Sequence, residues 1–225
     1  MKTLLTLFCL LFPLLSMSQQ NDPQEALLDS LNRQAVNAFY NDENYPMAYA
    51  LVQQLIRLDP DSYGVYLFRG RIRKAMGNDA SALEDFEMAI RKDSSNWMPY
   101  YDMAKIYLER KDYAQAYTTY SRAIEAFPQE AFLFSERAKV SEKRHQYEQA
   151  LADYDRALEI KPNTTAYLYG KGSAFRKLEP KDGGIYKNIG YIYLINYEDY
   201  PTALQYFCRA LKLAKSSSEK KRFAS

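Results

Sequence analysis

An all-α fold of stacked helix hairpins follows from three observations. Apolar residues recur at spacings of three and four along most of the chain, the period of a helix with one buried face. Breaks in that period are regular: Pro60, Ser94, Pro128 and Pro162 lie 34 residues apart. Proline cannot donate the backbone bond that would prolong a helix, so it marks the end of a unit. Small residues keep the same register. Ala48, Ala82, Ala116 and Ala150 open the second run of each unit, and Val52, Phe86, Tyr120 and Tyr154 follow four residues later. Such pairs fall on one helix face, where alanine lets a neighbouring helix axis approach closely.

The chain begins outside this pattern. Lys2 carries one positive charge, and Leu4 to Leu15 is an apolar run interrupted by Thr6 and Pro13. Ser16-Met17-Ser18 then places small residues where a signal peptidase reads. Residues 1–18 are therefore expected to be a signal peptide, cleaved before Gln19. The run is short of the roughly 20 apolar residues that a membrane span needs, which favours cleavage over an anchor. The expected product is exported, periplasmic or secreted, with no integral membrane segment after leader removal. Cys9 lies inside the apolar run, against a lipidated cysteine at the cleavage site. Only Cys208 remains after cleavage, so no intramolecular disulfide can form and stability must come from helix packing.

After the leader, Asp22-Pro23-Gln24-Glu25 reads as a helix start, with Asp22 as cap, Pro23 in the first turn and Glu25 near the positive end of the helix dipole. The first helix is expected to run to Tyr40 and the second from Pro46 to Leu58. Further hairpins are expected at 63–76 with 79–92, 97–110 with 113–126, and 131–143 with 147–160, in units 29–62, 63–96, 97–130 and 131–164. Thr165 to Leu178 is another first helix, but Glu179 to Gly184 stands where its partner should begin, leaving a partial unit, 165–182. From Ile185 the first-helix pattern restarts with Tyr186, Ile189, Gly190 and Tyr193. Pro201 to Lys215 supplies its partner through Ala203, Phe207 and Ala210, giving a last unit, 183–215. The helix from Ile185 should run back along 165–178 in the place of the missing second helix. Gly183-Gly184 is then a hinge, and the last hairpin is turned over relative to the others. Residues 216–225 are expected to form a flexible basic tail.

The unit Ala131 to Thr164, with Ala138, Ala150, Tyr154 and Pro162 at its key positions, resembles the tetratricopeptide repeat. The resemblance implies a right-handed α-solenoid over residues 19–215, about five repeats plus an unpaired helix. The small residue of the first helix is Gly70, Ala104, Ala138 and Gly172 in the second to fifth units but Val36 in the first, which implies a looser first hairpin. Arg69 precedes Asp85 by 16 residues, as Arg137 precedes Asp153. In the other two units both partners vanish together, at Ala35 with Leu51 and at Met103 with Thr119. Cross-helix ion pairs Arg69–Asp85 and Arg137–Asp153 are the expectation; chance placement is the alternative.

Composition favours a folded helical protein without catalysis. The chain has 47% hydrophobic and 26% charged residues, a formal charge of +2 and 21 tyrosines, whose rings suit half-buried positions in a repeat array. Near-neutral charge and export disfavour nucleic-acid binding. His145, the only histidine, sits in an expected turn, where a solvated ring is commoner than a base or metal ligand. Cys208 has no histidine near it in sequence, and Gly170-Lys171-Gly172 lacks the spacing of a phosphate-binding loop. Asp153 and Asp155 have no second acidic cluster to complete a metal shell. No cofactor is expected. Asn163-Thr164-Thr165 matches a glycosylation acceptor, which matters only in a eukaryote.

The resemblance also implies that a partner lies against the second, fifth, ninth, twelfth and thirteenth positions of the units, on their first helices. Those positions give Arg33, Asn37, Tyr40, Arg71, Lys74 and Tyr101, then Lys105, Lys139, Lys143, Tyr169, Arg176 and Lys177. Only Glu109 and Glu142 among them are acidic. A basic, tyrosine-lined surface would attract an acidic or carboxylate-bearing protein segment; a merely solvated lysine-rich face is the alternative. The carboxylate clamp of chaperone-binding members is absent, since Phe68, Met98 and Asp102 occupy positions it needs. The expected function is a non-catalytic interaction scaffold, with a permanent accessory subunit of a cell-envelope enzyme or transport assembly as the alternative.

Overall fold

The computed structural model describes residues 22–178, 183–196, 202–206, 208–210 and 212–213. The expected leader, the 179–182 link and the tail lie outside the described residues. The helices are α1 (Pro23–Tyr40), α2 (Tyr45–Leu58), α3 (Tyr63–Ala75), α4 (Asp79–Lys92), α5 (Met98–Glu109), α6 (Tyr113–Ala126), α7 (Ala131–Lys143), α8 (Tyr147–Ile160), α9 (Thr165–Leu178) and α10 (Gly183–Asn196). Residues 202–206, 208–210 and 212–213 are also helical, and the described residues contain no strand. No helix among them is long and apolar enough to cross a membrane. The chain divides into two compact units, residues 1–92 and 93–225.

The first unit holds two hairpins, α1–α2 and α3–α4. Asp22 accepts a hydrogen bond from the Gln24 N–H at 3.0 Å and Pro23 occupies the first turn, as the sequence indicated. Asn44 caps α2 by accepting from the Met47 N–H at 3.1 Å. Gly70 in α3 is buried under the ring of Phe86 in α4; a Cβ there would lie 2.5 Å from Phe86 Cε1. The small residue is therefore a steric requirement of that crossing.

The second unit continues with α5–α6 and α7–α8. Ala104 with Ala116 and Tyr120, and Ala138 with Ala150 and Tyr154, are buried to within 1% exposure, so each hairpin closes on the alanines that the spacing singled out. Among the described residues, the turns of α1–α2, α3–α4, α5–α6 and α7–α8 each contain one left-handed residue just before the second helix: Glu43 (φ 49°), Gly77 (φ 79°), Lys111 (φ 59°) and His145 (φ 59°). Only Gly77 adopts that conformation without Cβ strain. His145 is exposed there, with Nδ1 2.8 Å from the Tyr147 hydroxyl.

The first hairpin departs from the expected register. The amide before α2, Asn44 N–H, bonds the Ala38 carbonyl six residues back, whereas Asn78, Asp112 and Gln146 bond Arg73, Tyr107 and Ser141, five residues back. The turn around Asn41–Asn44 thus holds one extra residue, and α1 is displaced by one position relative to the other first helices. Ala35, not Val36, takes the small-residue site: Ala35 is fully buried in one cluster with Ala48 and Val52, while Val36 is 39% exposed. The expectation of a loose first hairpin is corrected by this slip, which leaves the crossing alanine-lined.

At the far end, α10 lies along α9 in the place of a second helix, as the loop length required. A Cβ on Gly172 would meet Ile189 at 3.3 Å and Ile192 at 3.4 Å. The rings of Tyr169 and Tyr193 meet at 6.1 Å. Residue numbers rise along α9 as they fall along α10, so the two run antiparallel. Gly183 and Gly184 belong to the first turn of α10.

Candidate functional site

Both expected ion pairs form. Arg69 Nη2 lies 2.6 Å from Asp85 Oδ1, and Arg137 Nη2 lies 2.7 Å from Asp153 Oδ1. Burial by itself would lower the pKa of each guanidinium, but the hydrogen bond and charge of its aspartate outweigh it and raise the value. A third partner was not foreseen: Arg69 Nη1 donates to Gln53 Oε1 at 3.0 Å and Arg137 Nη1 to Ser121 Oγ at 3.1 Å, each on the second helix of the preceding hairpin. Asp85 also takes Arg73 at 2.9 Å. These arginines are consumed in holding hairpins together.

In the first unit a slot of about 400 Å³ opens between α1 and α3. Its walls include Asp29, Asn32, Val36 and Tyr40 from α1, and Leu67, Phe68 and Arg71 from α3. Of the residues nominated from sequence, Tyr40 and Arg71 lie in it, and the Tyr40 ring stacks on Phe68 at 6.4 Å and 9°. Arg33 and Asn37 do not line it. Arg33 Nε reaches the Asp29 carbonyl at 3.4 Å, and Asn37 bonds Asp42 and Asn41 in the turn at 3.1 and 2.6 Å. The slip explains this: nominating by a constant 34-residue period is one residue off along α1. Lys74 is half-buried on α3 outside the slot.

In the second unit, Tyr101, Lys105 and Lys139 come together around rings that the sequence reading passed over. Trp97 and Phe132 pack 5.2 Å apart, and Tyr101 meets them at 6.2 and 5.4 Å. All three rings are half-buried. Lys105 extends over Tyr101 with its ammonium 5.5 Å from the ring centre. Lys139 is exposed and held by Glu136 at 2.5 Å. Burial first, then Glu136, raises the Tyr101 hydroxyl above its ordinary pKa, so it stays a neutral donor. Trp97 and Phe132 open their units, where an aromatic reads equally well as packing, so only the geometry reveals the cluster. Lys143 is exposed in the last turn of α7.

The three nominated residues of α9 already have partners within the chain. Lys177 Nζ lies 2.8 Å from Glu142, which also accepts from Tyr154 at 2.8 Å and Ser173 at 3.5 Å. Arg176 donates to Tyr206 at 3.2 Å, and Tyr169 meets Tyr193. This end of the surface is thus engaged within the chain, by Glu142 of α7, Tyr193 of α10 and Tyr206.

Residues 70–131 and 101–163 match the family model for the tetratricopeptide repeat. No curated protein matches the chain in sequence. Among solved structures, the C-terminal part of a TPR repeat-containing protein from Cytophaga hutchinsonii superimposes with a TM-score of 0.65 at 18% identity, covering 90% of this chain and 88% of that one. PilF of Pseudomonas aeruginosa gives 0.58 at 16% identity, covering 90% and 99%. MamA from Desulfovibrio magneticus RS-1 gives 0.50 at 14%, covering 84% and 96%. At such identities the likeness is one of fold. Taken with the hairpins described above, the family match shows that residues 70–163 are tetratricopeptide repeats.

Proposed function

We propose that the protein is an exported, non-catalytic adaptor that holds a segment of another protein against the first helices of its repeats. Tetratricopeptide repeats are modules for protein–protein interaction, and the observation that carries the finer reading is the patch in the second unit. Exposed Lys105 and Lys139 flank three half-buried rings, which suits a segment bearing carboxylates beside an apolar or aromatic side chain. Export rests on the leader-like residues 1–18; a mature chain beginning at Gln19 by mass spectrometry supports it, and an intact leader on the native protein contradicts it.

A permanent accessory subunit is a second reading, favoured by one observation. Ile195 is 71% exposed and Leu204 62% exposed at the C-terminal end, and large apolar side chains left in water favour a standing partner. Affinity capture of the full chain from its native compartment separates the two. A salt-sensitive, substoichiometric catch supports the adaptor, a tight stoichiometric complex supports the subunit, and no protein catch defeats both.

A further inference from the structure

We infer that the slot of the first unit takes an apolar protein segment with a basic side chain beside its anchor, the opposite charge from the segment suited to the second unit. The inference rests on the reading of the protein as a binder of segments, and on the register slip in α1. With α1 displaced by one residue, Asp29, Asn32 and Val36 line the slot in place of Ser30, Arg33 and Asn37. The α1 wall thereby loses a guanidinium and gains a carboxylate and one apolar side chain.

The slot has two chemically distinct parts. Leu28, Val36, Leu55, Leu67 and Phe68 make an apolar trough, and Tyr40 stacked on Phe68 closes one end. Asp29 and Asp59 lie at the other end. Asp59 Oδ1 is used by the backbone N–H groups of Asp61 and Ser62 at 3.3 and 3.2 Å. Among the described residues, Asp59 Oδ2 and the Asp29 carboxylate take no hydrogen bond and neither residue forms an ion pair. The nearby Lys92 ammonium is held by Asp61 at 2.6 Å. Asp29 and Asp59 outnumber Arg71, the one cation in the lining and one already engaged within the chain, so the slot favours a ligand that brings a cation with its apolar anchor. A volume of about 400 Å³ falls within the usual ~300–1,000 Å³ of ligand pockets and admits a short run of side chains.

Three synthetic peptides test this by fluorescence anisotropy on the full chain: one with Leu-Phe flanked by arginines, one with the same anchor flanked by glutamates, and one with arginines flanking Ser-Ser. The arginine-flanked Leu-Phe peptide should bind roughly tenfold or more tighter than either of the others. Val36→Glu, at an exposed site and checked by circular dichroism for an unchanged helical spectrum, should abolish that binding. Asp29→Lys should shift the preference toward the glutamate-flanked peptide. Equal affinity for arginine and glutamate versions, no binding by any peptide, or indifference to Val36→Glu overturns the inference. Such a failure with capture of native partners intact leaves the adaptor reading standing, whereas a chain that captures no protein at all removes that reading itself.

Discussion

Arg137 Nη1 lies 3.1 Å from Ser121 Oγ while Nε and Nη2 of the same guanidinium hold Asp153 at 2.9 and 2.7 Å. One side chain thus joins the second helices of two successive hairpins, and Arg69 repeats the arrangement with Gln53 and Asp85 in the other unit. Asp153 is 6% exposed, so Asp153→Ala leaves a largely desolvated arginine without its counter-charge. That substitution should cost about 2–3 kcal/mol by urea unfolding, and Ser121→Ala about 1 kcal/mol. A loss below about 0.5 kcal/mol for Asp153→Ala, the scale of a surface change, would contradict the assignment.

Tyr120 and Tyr154 occupy equivalent positions but differ in what their hydroxyls meet. Tyr154 donates to Glu142 at 2.8 Å, whereas the buried Tyr120 hydroxyl has no hydrogen-bond partner among the described residues. Tyr154→Phe should therefore destabilise by about 1 kcal/mol, and Tyr120→Phe should be neutral or stabilising by about 1 kcal/mol. Burial, then nearby carboxylates, raises both hydroxyls above their ordinary pKa. A folded value above the unfolded value of about 10 gives stability that is complete below about pH 10 and lost as pH rises toward the folded value. Either phenylalanine variant should flatten the alkaline loss seen in the parent protein's unfolding curves. Identical alkaline profiles would rule out this source.

The register of α1 predicts opposite outcomes at adjacent residues. Ala35 is fully buried at the crossing, so Ala35→Leu should cost about 2 kcal/mol or more through overpacking. Val36→Ala, at a 39% exposed position, should stay within about 0.5 kcal/mol. Thermal or urea unfolding of the pair checks this, and the reverse ranking would restore the unshifted register.

Much of the fold was legible because its determinants are local and periodic. Proline at the unit ends and alanine at the crossings act within one turn of helix, so a constant spacing exposes them. The arginine–aspartate pairs were legible because both partners recur or vanish together. The slip in α1 was not, since the extra residue lies in the polar run Asn41-Asp42-Glu43-Asn44, where apolar periodicity is silent, and Ala35 and Val36 are adjacent apolar residues. Aligning the caps Asn44, Asn78 and Asp112 without the helices does not reveal it either, because they keep the 34-residue interval. The capture of Lys177 by Glu142 joins residues of successive units. Intra-unit spacing carries no signal for such a contact, and the nominated surface consequently looked more basic than it is.

Charge reversal at Lys105 and Lys139 tests the proposed binding of a partner through the lysines and rings of the second unit. Both side chains are exposed, so Lys105→Glu with Lys139→Glu should leave the helical spectrum intact and change stability by only about 0.5 kcal/mol per site. Capture of the native partner by the double variant should fall sharply, with the gap from the parent protein widest at low salt, where screening is least. Undiminished capture by a folded double variant would rule out this patch and move the binding surface elsewhere on the chain.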